Sequence, residues 1–346
     1  MERTRLAMDL LLIIRGLAAL SVVVWHTEGY HAEFPPVVNI PGRTAVWLFF
    51  GISGYVIAYG FIHRRYKYTP RDLRDFYINR FLRIYPLFLL LSAVGWITLL
   101  LTTGASPIGL KDLPAQLFAI QFDQNYILNG VFWTLGIELH FYLLAPLLAW
   151  MLLSRSNRYL IPCACLYGLM VYWNQFTANQ WGWIFDGRNI LANLSHFFMG
   201  MIACRMVAGG KPNKKLLLFA LAGACAAIAY SNWLYHCKSG WFWSVRGILL
   251  VDAAIFLFIV AHACCQWPKH SRNPVYLAFA FLGTLSYGIY AWHAYLMSNL
   301  AFLSANVLAL IGASIVAAYI SYRLVERPAL KLRRKHPEPR APIATE

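Results

Sequence analysis

Ten runs of roughly twenty apolar residues, parted by short polar connections, leave this chain few ways to fold. They lie near 6–26, 44–62, 84–103, 136–153, 159–174, 189–208, 216–235, 245–266, 275–298 and 305–325, the fourth and fifth being short. A run of that length crosses a bilayer as one helix. The pattern predicts an all-α, polytopic membrane bundle of about ten helices. Of the 346 residues, 60% are hydrophobic and only 13% are charged, against about 25% charged in a soluble domain. Little chain remains for a sizeable soluble domain.

The connections alternate in basicity. On one side lie Arg3, Arg5, the seven basic residues between Arg64 and Arg83, and those of every second connection after it. The tail adds Arg323, Arg327, Lys331, Arg333, Arg334, Lys335 and Arg340. That side holds 24 of the 30 Lys and Arg residues. The positive-inside rule then predicts that both termini are cytoplasmic, which an even number of spans allows. The net charge of +16 is therefore a matter of topology and does not call for nucleic acid. Met1 to Arg5 followed by an apolar run resembles a signal peptide, but Arg15 interrupts the run and no A-x-A site follows it, which predicts an uncleaved first span. The tail 335–346, rich in Pro and charge, is expected to be a disordered cytoplasmic extension of a membrane domain spanning 1–334.

The seven cysteines, at 163, 165, 204, 225, 237, 264 and 265, are odd in number and show no C-x-x-C spacing, so neither a disulfide framework nor a metal site is expected. P-loop, G-x-G-x-x-G, H-E-x-x-H and G-x-S-x-G patterns are absent.

Polar residues inside the apolar runs are the candidates for chemistry. Arg15 and His26 lie in the first span, eleven residues apart. On a helix that spacing puts both on one face, roughly 16 Å apart along the axis. A guanidinium at the centre of a membrane helix costs at least about 2.5–3.5 kcal/mol. Arg15 either holds helices together through a buried partner or lines a polar path with His26 near its outer end.

Arg80 and Arg83 are i, i+3 at the cytoplasmic start of the third span, with Pro86 in its first turn. Their guanidinium groups suit phosphate oxygens, although basic flanks and lipid contact explain them equally simply. In the fourth span Glu138 and Tyr142 share a face and His140 points elsewhere. That carboxylate can orient a histidine, accept from a hydroxyl, neutralise Arg15 or sit on the helix dipole, while Trp133 and Tyr142 also fit an aromatic belt. His196, Asp252 and His293 are further intramembrane polar groups, and Asp252 requires a partner. Glu326-Arg327-Pro328 reads as a helix stop with a local ion pair.

Taken together, six segments resemble the acyltransferase-3 family of bacterial membrane O-acyltransferases, almost end to end. Arg15 with His26 resembles its Arg-x10-His motif, Phe49-Phe50-Gly51-Ile52-Ser53-Gly54 its Phe-Phe-x-x-Ser-Gly segment, and Arg80-Phe81-Leu82-Arg83 its Arg-x-x-Arg segment. Trp133 to Pro146 resembles its Trp-Ser-Leu-x-x-Glu segment, and Ser286 to His293 and Tyr322 to Pro328 resemble its last two helices. Leu12 stands where the family often has Asp, Thr134 and Gly136 replace serines, and Gly51 replaces a branched residue. The C-terminal esterase-like domain of many members is not expected here.

The resemblance implies transfer of an acyl group, foremost acetyl, from cytoplasmic acyl-CoA to a hydroxyl of a surface or exported glycan at the bacterial inner membrane. Acyl-CoA enters as a donor substrate, and no permanently bound cofactor is implied. Arg80 and Arg83 would hold its phosphates, its pantetheine arm would pass Arg15, and neutral His26 would act as general base or carry the acyl group. Glu138 would orient His26 or bind the acceptor, with Trp133, Tyr142 and His293 as further acceptor contacts. A non-glycan acceptor, such as an antibiotic or peptidoglycan component, is the alternative within the family. A proton-coupled transporter with Arg15, Asp252 and His293 as relay is the alternative outside it, although the inverted repeats and paired broken helices common in transporters are not evident. Trp181, Trp183, Trp241 and Trp243 on outer connections suit sugar stacking or interfacial anchoring.

Overall fold

The apolar runs fold as helices whose ends are set by short capping signals. The computed structural model describes residues 9–27, 40–63, 65–104, 113–118, 129–153, 160–180, 190–207, 213–237, 244–265, 273–304 and 306–334. The ten principal helices are α1 (Leu10–His26), α2 (Gly42–Ile62), α3 (Pro70–Thr103), α4 (Trp133–Leu153), α5 (Leu160–Gln180), α6 (Leu194–Val207), α7 (Lys214–Cys237), α8 (Val245–Cys264), α9 (Pro274–Asn299) and α10 (Val307–Ser321). No strand occurs among the described residues, as the hydropathy pattern predicts. Asp9 caps α1 by accepting from the Leu11 amide at 2.9 Å. Thr69 followed by Pro70 starts α3, and Asn273 followed by Pro274 starts α9, in each case a side-chain acceptor before a proline that has no N–H to leave unpaired.

Among the described residues, seven helical stretches are long and apolar enough to cross a membrane. The other three, α1, α6 and the apolar part of α5 (161–173), are shorter. With fourteen residues, α6 rises only about 21 Å, less than the ~30 Å hydrocarbon core. Its side chains from Leu194 to Phe198 are all buried, so its apolar surface serves packing inside the bundle. Outward-facing apolar side chains such as Leu101, Leu308 and Phe219 suit contact with lipid.

Two sequence expectations are corrected. The third span does not start near 84. Helix α3 runs 34 residues from Pro70, about 51 Å, so Arg80, Arg83 and Pro86 lie well inside it. Hydropathy detects only its apolar half. The basic half continues the same helix because Thr69 and Pro70 start it and no breaker stops it before Gly104, whose φ of 70° ends it in the left-handed region. Pro86 costs that helix one hydrogen bond without ending it. At the other end of the chain Glu326 is not a helix stop. The chain passes through a π turn over Tyr322–Glu326 and stays helical to Lys331. Glu326 is buried beside Gly288, and among the described residues it forms no ion pair. The expected tail 335–346, and the tryptophans at 181, 183, 241 and 243, lie outside the described residues.

Helix α1 packs on α9 and α2, α2 on α6, α7 on α8, and α9 on α10. The closest approaches use glycine. A Cβ on Gly283 of α9 would overlap the Leu12 carbonyl of α1, and one on Gly200 of α6 would overlap the Gly51 carbonyl of α2. Small residues at such crossings let backbones meet, which is how membrane helices gain packing energy. Gly200→Ala is therefore expected to destabilise the bundle by about 1–3 kcal/mol. A lowered thermal unfolding midpoint of the purified protein checks this. Gly312, whose Cβ would meet nothing within 4 Å, supplies the neutral control.

Candidate active site

Helices α1, α2, α3, α4 and α9 surround a narrow cavity of about 80 Å³. Arg15, Arg80, Arg83, Glu138 and Tyr142 all line it, so five of the residues singled out from the sequence meet in one place. His26, Trp133 and His293 do not line it. Trp133 instead lies under the Arg43 guanidinium, 4.8 Å from its centre.

At one end the cavity is cationic. Arg80 and Arg83 come from α3, one turn apart, and Arg15 comes from α1. Arg80 packs over the rings of Phe76 and Tyr142, and Arg15 over Phe49 at 5.9 Å. The Nε groups of Arg15 and Arg80 are buried without a hydrogen-bond partner. Among the described residues no carboxylate lies within ion-pair distance of Arg15, Arg80 or Arg83. Buried guanidinium groups with unused donors suit an anionic ligand.

Glu138 occupies the middle. Its Oε1 accepts from Tyr142 Oη at 2.5 Å and from Ser53 Oγ at 2.9 Å. The i, i+4 face read from the sequence is thus realised. Its hydrogen bonds among the described residues go to these two hydroxyls and not to His26. Ser53 was carried in the Phe49–Gly54 segment but not singled out, since a lone serine gives no signal until a carboxylate faces it. His140 points away, as expected, and lines a separate apolar cavity that shares Arg80 and Tyr142.

At the far end the cavity wall is Thr134 and Tyr290. Thr134 Oγ1 donates to Tyr290 Oη at 3.1 Å, and the Tyr290 ring lies 5.7 Å from that of His293. His293 is fully buried and meets His26: its Nε2 is 3.3 Å from His26 Nδ1. Two further contacts set the tautomer each ring adopts when neutral. His293 Nδ1 is 2.6 Å from the Tyr290 carbonyl and His26 Nδ1 is 2.9 Å from the Val22 carbonyl. A carbonyl only accepts, so both Nδ1 atoms carry hydrogen. His293 Nε2 is then an acceptor toward His26 Nδ1–H, and His26 Nε2 is the basic nitrogen. The two residues stand 267 positions apart, and nothing in the linear sequence announces their pairing.

Asp252 finds its partner elsewhere. It accepts from His196 Nδ1 and from Tyr167 Oη, both at 2.7 Å. Neither Asp252 nor His196 lines the cavity. No group of three or more His, Cys, Asp or Glu that could hold a metal ion occurs among the described residues.

Comparison with known proteins agrees with this architecture. The family model described as an acyltransferase domain, that of acyltransferase-3, matches residues 9–325. Nodulation protein 10 of Rhizobium leguminosarum bv. viciae is 27% identical, with 87% of this chain and 84% of that protein covered. A putative O-acetyltransferase of Staphylococcus aureus strain COL is 25% identical and the O-acetyltransferase OatA of strain NCTC 8325 is 23% identical, each over 92% of this chain. The chain spans only 56% of the length of these two staphylococcal proteins. No solved structure matches. With its family model covering nearly the whole chain, this multi-helix membrane protein belongs to the acyltransferase-3 family.

Proposed function

We propose that the chain is an O-acyltransferase of the bacterial inner membrane that moves an acyl group, foremost acetyl, from cytoplasmic acyl-CoA to a hydroxyl of a surface or exported glycan. The observation that carries this reading is one cavity with three arginines at one end and, behind Tyr290 at the other, a histidine pair whose tautomers leave a basic nitrogen on His26. The positive-inside pattern puts the arginine end at the cytoplasm and the histidine end outside.

In this scheme Arg80 and Arg83 bind the donor's phosphates, and Arg15 orients the pantetheine arm along the cavity. The acceptor hydroxyl reaches His26 from outside. Its oxygen attacks the thioester carbonyl carbon while His26 Nε2 takes its proton. The C–S bond breaks, the sulfur leaves with the proton returned by His26, and an ester remains. His293 accepts from His26 Nδ1–H, holding the ring and stabilising the imidazolium. Glu138, with Ser53 and Tyr142, shapes the passage between the arginines and Tyr290. Trp133 stands near the acceptor's approach.

The test is mass spectrometry of envelope glycans from cells with and without the gene, coupled to transfer by purified protein from labelled acetyl-CoA. A loss of one acetyl mass from the glycan and acetyl-CoA-dependent product formation are expected. Unaltered glycans with label moved to a small-molecule alcohol would assign the acceptor to the non-glycan alternative. Substrate flux without a covalent change would overturn the enzyme reading.

A further inference from the structure

The segment that follows the last helix returns to α3 at Asn79, the residue before Arg80. After the π turn at Tyr322–Glu326 and the short helix Arg327–Lys331, residues Leu332–Arg334 lie against α3. A reciprocal clamp fastens them there. The Arg334 amide donates to Asn79 Oδ1 at 2.8 Å, and Asn79 Nδ2 donates to the Arg334 carbonyl at 3.1 Å. Asn79 is buried, and its Nδ2 also reaches Tyr66 Oη at 3.1 Å. An asparagine that satisfies both the amide and the carbonyl of one residue fixes the chain as a strand partner would.

The clamp sets Arg333 among the arginines of α3. Burial, followed by the charges of Arg83 and Arg80, pushes the Arg333 pKa down to about 10. Its Nε is buried without a hydrogen-bond partner, as is that of Arg80. Among the described residues none of the three is ion-paired. Glu326 lies within electrostatic reach of Arg83 and Glu138 lines the cavity, so two carboxylates face four guanidinium groups when Arg15 is included. Packing like charges together with unused donors costs stability, and a ligand bearing several phosphate oxygens removes that cost.

We infer that Arg333, held by the Asn79 clamp, joins Arg80 and Arg83 in a three-arginine site for the phosphate groups of a nucleotide-type donor. This rests on the donor reading given above and extends it to a residue outside the bundle's apolar core. Asn79 is a positioning residue, acting on the ligand only through Arg333 and Arg334.

The full chain in phosphatidylcholine nanodiscs tests this, with CoA, pantetheine and pyrophosphate as probes and with calorimetry and the unfolding midpoint as readouts. Arg333→Gln is expected to weaken CoA binding at least about tenfold and to leave pantetheine binding unchanged. Its ligand-free midpoint should match or exceed that of the parent protein, because one repelling charge is gone. Arg333→Lys is expected to regain part of the CoA affinity, since it keeps the charge and loses the fork. Equal CoA affinity in parent and Arg333→Gln would overturn the inference while leaving the donor reading intact. A lowered ligand-free midpoint with CoA and pantetheine lost alike would show a structural role and also overturn it. If the parent binds pyrophosphate through Arg333 but not CoA, the phosphate site stands and the donor reading falls. If it binds neither, both fall. An Arg333-dependent rise in midpoint from phosphatidylglycerol in the nanodisc, without CoA binding, would assign the arginines to lipid headgroups and sink the proposal.

Discussion

Replacing His26 with alanine is expected to lower acyl transfer about a thousandfold while leaving the bundle folded, because a positioned general base contributes about 10²–10⁴ in rate. The size of the effect follows from the tautomers. His26 Nδ1–H is committed to the Val22 carbonyl and to His293 Nε2, so Nε2 alone carries the basic lone pair. Alanine removes it, and the neighbouring His293 cannot substitute without giving up either its bond to the Tyr290 carbonyl or its place behind Tyr290. The loss should fall on kcat, with KM for acetyl-CoA nearly unchanged, since the phosphate contacts proposed for the donor lie at the opposite end. His293→Ala should cost less, about ten- to a hundredfold. It removes the group that accepts from the imidazolium but leaves the Val22 carbonyl to hold the tautomer. Rates on purified variants with unchanged unfolding midpoints measure both. Full transfer by folded His26→Ala would remove the base assignment. Loss in His293→Ala equal to that in His26→Ala would mean that the two rings act as one unit.

The fold was legible because each span had to satisfy two demands at once. An apolar run had to be long enough, and its flanking charges had to fall on the proper side. That places α2, α7, α8 and α9 within a few residues of their expected limits. Hydropathy does not mark the part of a helix that outlives its apolar half. In α3 the basic turns from Pro70 to Arg83 are continuous with the span, and hydropathy is blind to them. The site was half legible. Arg15, Arg80, Arg83, Glu138 and Tyr142 were visible as polar groups in apolar surroundings, and they converge on one cavity. What stayed hidden was partnership. Glu138 with Ser53, His293 with His26, and Asn79 with Arg334 are separated by 85, 267 and 255 positions. Only the packing of α1 on α9 and of the final segment on α3 brings the last two pairs together. Asp252 was recognised as a charge in need of a partner. Its partner is a histidine on α6, a helix shorter than the span expected over 189–208.

Asp252→Ala is expected to destabilise the bundle by about 3–5 kcal/mol. Both Asp252 and His196 are fully buried, and the carboxylate accepts the hydrogens of His196 and Tyr167 at once. Truncation leaves two donors with nothing to bond in a medium that offers no water. It also loosens His196, whose ring stacks on Trp47 at 4.5 Å, while Trp47 Nε1 donates to Asn193 Oδ1 at 2.9 Å. The loss is therefore felt from α8 through α6 to Trp47 of α2, which does not line the cavity. Asp252→Asn keeps one carbonyl oxygen as acceptor and should lose markedly less. A thermal unfolding series of the two variants measures the difference. The protein that remains folded should keep its KM for acetyl-CoA, because neither Asp252 nor His196 touches the cavity. A variant that unfolds at the parent temperature yet has lost transfer would mean that this pair carries protons. The aspartate would then belong to function, and the hydrogen-bonded pair on α6 and α8 would act in the chemistry beside the histidine pair on α1 and α9.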